Sequence, residues 1–120
     1  MNNKIVGAWG ERNAAKYLEK KGYKIVGVNY KNRFGEIDII ARRKDCVVFI
    51  EVKTRKNNSF ADAREFVDAK KQARVITAAK IWLSANRCEL QPRFDVIEVY
   101  APHGTDTKNP EINHIENAFS

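Results

Sequence analysis

The sequence predicts a mixed α/β protein in which helices flank a mixed sheet of four to five strands. Three consecutive strand-like runs lie between two stretches whose apolar residues recur at helical spacing, and a further strand-like run follows the second of these stretches. The chain has 120 residues, enough for one hydrophobic core and too few for two. We therefore expect a single domain over residues 1–120, with an irregular, turn-rich tail from about residue 102.

The first half of the chain predicts a helix followed by a three-stranded meander. Residues 4–21 form the expected helix, and Gly22 supplies a natural C-terminal stop. The apolar stripe of this helix consists of Ala14, Ala15 and Leu18. The strand-like runs that follow are separated by polar turns and cover residues 23–30, 36–42 and 47–53.

The second half predicts a polar connection, a helix and a further strand. The connection covers residues 54–59, and Pro92 is expected to close the link between the helix and the strand. The helix is expected over residues 68–85, with an apolar stripe of Ala69, Ala73, Ile76, Ala79 and Leu83. Strand, helix and strand in succession imply a right-handed crossover, so the strand at residues 94–100 should lie parallel to the third. Residues 112–119 can add a short edge strand.

The charge balance favours a polyanionic partner. Lys and Arg number 22 against 15 Asp and Glu, which gives a formal net charge of +7. Such a surplus on a small domain points first to nucleic acid, although many basic surfaces serve only solubility. No apolar run approaches the roughly 18 residues of a membrane span, and the N-terminus lacks the apolar core of a signal peptide. Cys46 and Cys88 lack CxxC spacing and are expected to be reduced thiols in a cytoplasmic protein.

The main candidate site emerges when the second and third strands are paired through a turn at residues 44 and 45. Asp38 then lies opposite Glu51, and Glu36 lies opposite Lys53. All four side chains share one face, because strand side chains alternate. The apolar set expected on the other face, which fixes the register, consists of Ile37, Ile39, Val48, Ile50 and Val52.

Opposed carboxylates repel each other and require neutralisation, by a divalent cation or by a shared proton. Oxygen ligands without His or Cys suit Mg²⁺ or Mn²⁺ better than zinc. Lys53 could then reach a metal-bound water or a scissile phosphate. The alternative is a solvated strand face on which Asp38 and Glu51 pair with Lys53 and Arg55.

Two segments carry a family resemblance: Gly35-Glu36-Ile37-Asp38-Ile39-Ile40-Ala41 and Val48-Phe49-Ile50-Glu51-Val52-Lys53-Thr54-Arg55. They resemble the PD-(D/E)XK nuclease superfamily and, more closely, the small YraN-type family of predicted endonucleases, related in fold to archaeal Holliday-junction resolvases. The resemblance covers nearly the whole chain and extends to Gly10-Glu11, Lys70 and Arg93-Phe94-Asp95-Val96. The superfamily's proline before the first Asp is absent, since Ile37 stands there.

This resemblance implies a restriction-endonuclease-like fold with Asp38 and Glu51 as metal ligands and Lys53 as the catalytic lysine. It also implies that Glu11 contributes an acidic group beside the metal; otherwise Glu11 is a solvated helix carboxylate. We expect the Val52 carbonyl as a further ligand. Resolvase relatives are expected to dimerise, so a homodimer is a further expectation.

The remaining candidates flank this constellation. Glu36 is either a site carboxylate or the partner that orients Lys53. The residues expected to contact phosphate are Arg55, Lys70, Arg33 and Lys71. The leading interpretation is a Mg²⁺- or Mn²⁺-dependent endonuclease that hydrolyses phosphodiester bonds in DNA, with branched repair or recombination intermediates as candidate substrates. The alternative is a non-catalytic nucleic-acid-binding module of the same fold within a repair or recombination complex.

Overall fold

The computed structural model describes residues 3–56 and 68–120. Within these ranges, the helices are α1 (Asn3–Lys20) and α2 (Ala69–Ala85). The strands are β1 (Lys24–Asn32), β2 (Gly35–Arg43), β3 (Cys46–Arg55), β4 (Gln91–Tyr100) and β5 (Ile112–Phe119). A single 3₁₀ turn, Gly104–Asp106, interrupts the segment before β5.

The five strands form one mixed sheet in the order β1-β2-β3-β4-β5. Strands β3 and β4 are parallel, and the other neighbouring pairs are antiparallel. The predicted mixed α/β sheet and the parallel relation across α2 are therefore confirmed, and β5 provides the fifth strand. Pro92 does not close the connection as expected, because it lies inside β4 beside Val47. Its position near the start of the strand explains why the ladder tolerates a residue without an N–H.

Both faces of the sheet are buried, one beneath each helix. Residues of α1, among them Ala14 and Leu18, pack with Ile39, Val48 and Ile50. The α2 residues Val75, Ala78 and Ala79 pack on the opposite face, against a cluster that includes Ile37, Ile40, Val47, Phe49 and Val96. The expectation of a single apolar face was therefore wrong: a strand covered on both sides becomes apolar along nearly its whole length.

Local hydrogen bonds define the end of α1 and the start of α2. Gly22 adopts a φ of 91° directly after α1, and the Tyr23 amide donates to the Leu18 carbonyl, which closes the helix end. Asp68 caps α2 by accepting a hydrogen bond from the Lys71 amide at 2.8 Å. Three residues of the stripe predicted for α2 pack on the sheet, Ile76, Ala79 and Leu83, whereas Ala69 and Ala73 are exposed. Val75 and Ala78, which the prediction left out, complete the buried face.

A buried polar cluster joins α1, β4 and β5. Asp95 accepts hydrogen bonds from Arg93 at 2.9 and 2.8 Å, and its Oδ2 lies 2.7 Å from His114 Nε2. His114 Nδ1 lies 3.1 Å from the Tyr17 hydroxyl. Burial alone would raise the pKa of Asp95, but the bonds from His114 and Arg93 hold it below its ordinary value. These contacts give Asp95 a structural role.

The connection after the third strand starts later than expected. Thr54 and Arg55 continue β3, because the parallel ladder with β4 extends to the pair Arg55 and Tyr100. The rest of the predicted polar connection from residue 57 onward lies outside the described residues. Among the helices described, none is long and apolar enough to cross a membrane.

Candidate active site

The β2–β3 hairpin has the predicted register. Arg43 pairs with Cys46 and Ile39 with Ile50, so residues whose numbers have the predicted constant sum lie opposite each other. Lys44 takes a positive φ of 56° at the turn between the two strands. The ladder ends at Ile39 and Ile50, however, one residue before Asp38 and Glu51. Neither predicted pair, Asp38 with Glu51 or Glu36 with Lys53, is therefore a ladder pair.

Where the ladder ends, the side chain of Asp38 accepts a hydrogen bond from the backbone of β3. Asp38 Oδ2 accepts a hydrogen bond from the Val52 amide at 2.8 Å. This bond replaces a backbone contact and holds the carboxylate beside β3. Burial raises the pKa of Asp38 above its ordinary value, while the bond from Val52 and the positive charge of Lys71 oppose that shift.

Glu51 is the carboxyl group of the site whose ionisation burial disfavours most. Only 3% of the residue is exposed. Burial first, and then the neighbouring charge of Asp38, raise the pKa of Glu51 to about 8. The Lys71 ammonium lies 3.9 Å from Oε2, and within the described ranges Oε1 is buried without a hydrogen-bond partner. Because this oxygen has no hydrogen-bond partner, it is available as a ligand for a cation.

Glu11 reaches the same site from α1. Burial, followed by the charge of Asp38, raises the pKa of Glu11, and a hydrogen bond with Asn29 opposes the change. The neighbouring Gly10 allows this approach, because a Cβ there would collide with the Thr54 side chain on β3. A Cβ at Gly7, by contrast, would meet open space.

Lys53 and Glu36 do not form the pair that the sequence predicted. Glu36 forms an exposed ion pair with Lys31 at 3.6 Å, across the β1–β2 ladder. Lys53 lies beside Glu98 in the parallel register of β3 and β4. Glu36 still adds negative charge near Asp38 and Glu51. Glu36 is thus paired with Lys31 rather than with Lys53, and the positive charge of Lys53 acts instead on Asp38 and Glu51, where it opposes the rise in their pKa.

Glu98 is the residue that the sequence interpretation missed. It is fully buried and accepts hydrogen bonds from the Tyr100 hydroxyl at 2.8 Å and from Asn113 at 2.9 Å. Its Oε2 accepts a hydrogen bond from Arg55 Nε at 3.3 Å. Arg55 Nη2 is buried and has no hydrogen-bond partner among the residues described. The sequence did offer one indication of this residue, because an acidic side chain interrupts the apolar run of β4. The sequence did not indicate that Glu98 pairs with Lys53 across the parallel ladder.

The other predicted cations lie around this carboxylate group. Lys70 is exposed in the first turn of α2, next to Lys71, which contacts Glu51. Arg33 places its guanidinium 4.8 Å from the centre of the Phe34 ring, on the β1–β2 turn. Thus the site residues Glu11, Asp38, Glu51 and Lys71 come together from four elements. The Val52 amide is engaged by Asp38, and the role of its carbonyl stays a prediction.

The donor set suits a hard cation that arrives with a substrate. In the part of the chain that the structure describes, no three His, Cys, Asp or Glu side chains form a preassembled metal site. Mg²⁺ is commonly held by one or two carboxylates together with substrate phosphate oxygens. Asp38 and the free oxygen of Glu51 meet that requirement, so the residues present fit the expected metal.

These features define an α/β protein with a buried, cation-flanked carboxylate site at one end of a mixed sheet. The chain belongs to the uncharacterised protein family UPF0102, whose model matches residues 10–99. A UPF0102 protein of Caldanaerobacter subterraneus subsp. tengcongensis is 47% identical, over 99% of this chain and 98% of that protein. A UPF0102 protein of Alkaliphilus oremlandii is 46% identical, over 98% of this chain and 99% of its own. The YraN-type resemblance is thereby confirmed at the level of the family.

Proposed function

We propose that this protein is a Mg²⁺- or Mn²⁺-dependent endonuclease that hydrolyses phosphodiester bonds in DNA, with a restriction-endonuclease-like fold of the PD-(D/E)XK type. One observation carries the proposal: Glu51 is a buried carboxylate with a free oxygen, next to Asp38 and two residues before Lys53. A purely structural carboxylate at this depth would have both oxygens satisfied, as those of Asp95 are.

Asp38 and Glu51 would hold the metal, with Glu11 and the Val52 carbonyl as further candidates. When bound, the cation would lower the pKa of a water molecule and neutralise charge on the reacting phosphate. Asp38 is held in place by the Val52 amide, so its position does not depend on a bound cation. Lys71 offsets part of the Glu51 charge and leaves Oε1 free.

The cations of the chain would bind and orient the substrate. Lys53 follows Glu51 on the same strand face and would hold the attacking water or the scissile phosphate by hydrogen bonds. Arg55 is fixed through its Nε by Glu98, and its buried Nη2 would contact a phosphate oxygen only after the groups that cover it move aside. Lys70 and Lys71, at the start of α2, would contact the neighbouring backbone phosphates.

A second candidate function is a nucleic-acid-binding module of the same fold that does not cleave. It is favoured by the formal net charge of +7, which supports nucleic-acid binding whether or not the protein cleaves. The two functions differ in what Lys53 does, because a binding module uses it only as one phosphate-facing cation among many.

Cleavage of linear, branched and single-stranded DNA and of RNA, with and without Mg²⁺ or Mn²⁺, tests the proposal. Wild-type protein should cut DNA only with metal. Lys53→Ala should abolish cleavage yet keep DNA affinity within about a few-fold, because one of many cations is removed. Lys80→Ala, an exposed cation on α2, is the matched control and should cut normally. Binding without cleavage in all metals would instead establish the binding module.

A further inference from the structure

The turn between β1 and β2 is held rigidly against α2. Asn32 Oδ1 accepts hydrogen bonds from the amides of Phe34 at 2.9 Å and Gly35 at 3.3 Å. The same side chain donates through Nδ2 to the Tyr30 hydroxyl at 3.0 Å and to the Ala78 carbonyl at 3.4 Å. One asparagine therefore sets the shape of the turn and ties it to the helix.

Gly35 allows the turn to lie directly on the helix backbone. A Cβ at this position would come within 3.1 Å of the Arg74 carbonyl oxygen, so a side chain would force the turn away from α2. Since both ends of the turn are fixed, the side chains at its tip project from a backbone of defined conformation. Such a site loses little backbone entropy when a ligand binds.

The tip of the turn presents an aromatic ring to solvent. Phe34 is 37% exposed and belongs to neither of the two buried apolar clusters. The Arg33 guanidinium lies 4.8 Å from the ring centre. An exposed ring with a stacked guanidinium is the arrangement that proteins use against the faces of unpaired bases.

A basic groove leads from this ring to the carboxylate site. The groove has a volume of about 430 Å³, and four cations line it beside Phe34: Lys31, Arg33, Lys71 and Arg74. Glu36 is the acidic residue of this lining, and it is paired with Lys31. Lys71 belongs to both places, because its ammonium also lies 3.9 Å from Glu51. Phe34 precedes Asp38 by four residues, which corresponds to at most about 13 Å of extended chain. A strand that occupies the groove therefore reaches the carboxylates within a few nucleotides.

We infer that the β1–β2 turn is a stacking site for an unpaired nucleobase of DNA, held by Phe34 and Arg33, while Lys71 and Arg74 bind the adjoining phosphates. The inference rests on the proposed function and narrows its substrate class to DNA that carries a single-stranded segment beside the cleaved bond. Bases inside a continuous duplex are stacked on both faces and cannot offer a face to Phe34 without being extruded.

Equilibrium binding without divalent metal tests this site separately from cleavage. The probes are a blunt DNA duplex and the same duplex with a single-stranded tail, labelled with 2-aminopurine at the junction. Wild-type protein should bind the tailed duplex more tightly than the blunt one and quench the label. Phe34→Leu should weaken tailed binding about fivefold or more, as loss of one base–aromatic stack predicts, and leave blunt binding unchanged.

Two further variants separate stacking from packing. Phe34→Trp keeps a ring and should retain the preference for the tail, and Ile81→Ala removes a similarly exposed apolar residue (36%) and should change neither affinity. An unchanged ratio of tailed to blunt affinity in Phe34→Leu would overturn the inference. Wild-type binding without any tail preference, or no binding to either DNA, would also overturn the inference, whereas the proposed function is decided separately by the metal-dependent cleavage assay.

Discussion

Replacement of Glu51 by Gln should stabilise the metal-free protein at neutral pH. Glu51 is buried beside Asp38, and its pKa rises from an ordinary value of 4.5 to about 8 in the folded chain. A group whose pKa is raised by folding contributes its stability below the unfolded pKa and loses it as pH rises through the folded value. The wild-type protein should therefore lose stability between these two values, because the folded state resists the negative charge.

The expected magnitude follows from the two pKa values. Linkage gives a loss of about 3 kcal/mol in the free energy of unfolding between about pH 5 and about pH 7.5. Gln resembles the protonated glutamic acid and carries no titrating group. The Glu51→Gln protein should therefore have a much flatter pH profile and should exceed the wild type near neutral pH.

Urea denaturation in the presence of EDTA at several pH values measures both quantities, and equal m-values ensure that the curves are comparable. Glu19→Gln, which alters an exposed carboxylate of α1, is the control and should follow the wild-type profile. Parallel pH profiles for Glu51→Gln and the wild type would refute the reasoning, because they would show that Glu51 ionises at its ordinary pKa and that the Lys71 ammonium compensates its burial.

Two further predictions test the neighbours of Glu51. Asp38→Asn can still accept the Val52 amide bond, so its apo stability should equal or exceed that of the wild type, while the thermal shift produced by Mg²⁺ or Mn²⁺ should largely disappear. Equal metal-induced shifts in mutant and wild type would show that Asp38 is not a ligand. Gly10→Ala should lower the melting temperature, despite the better helix propensity of Ala, because the new Cβ collides with Thr54. When Thr54 is first replaced by Gly, the collision cannot occur, so adding Gly10→Ala to the Thr54→Gly protein should cost little melting temperature. An equal loss in both backgrounds would place the effect elsewhere.

The sequence was most informative where local chemistry decides the structure. The turn at Lys44 fixed the β2–β3 register, and Gly22 marked the end of α1, since both positions take the backbone conformations that their neighbours require. The alternation of Asp38 with apolar residues identified the candidate carboxylates before any contact was known. Those signals lie within a few residues of the feature that they predict.

The remaining features depend on contacts between distant segments. Glu98 lies beside Lys53 because of a parallel register set across α2, and no local pattern specifies such a register. The end of the β2–β3 ladder depends on one side chain, Asp38, which accepts a backbone hydrogen bond from Val52. The buried face of α2 was predicted only in part for the same reason, since overlapping apolar stripes fit the helix and only packing on the sheet places Val75 and Ala78 beside the predicted Ala79.

The end of the β2–β3 ladder has a consequence for how the chain folds. The hairpin closes easily at its turn, where Arg43 pairs with Cys46, but its open end carries Asp38 and Glu51. Until α2 brings Lys71 to this end, the two carboxylates oppose the zipping of the hairpin, which is local frustration in the energy landscape. Amide hydrogen exchange should therefore be slower for Val48 than for Val52, and the difference should shrink when a cation occupies the carboxylates.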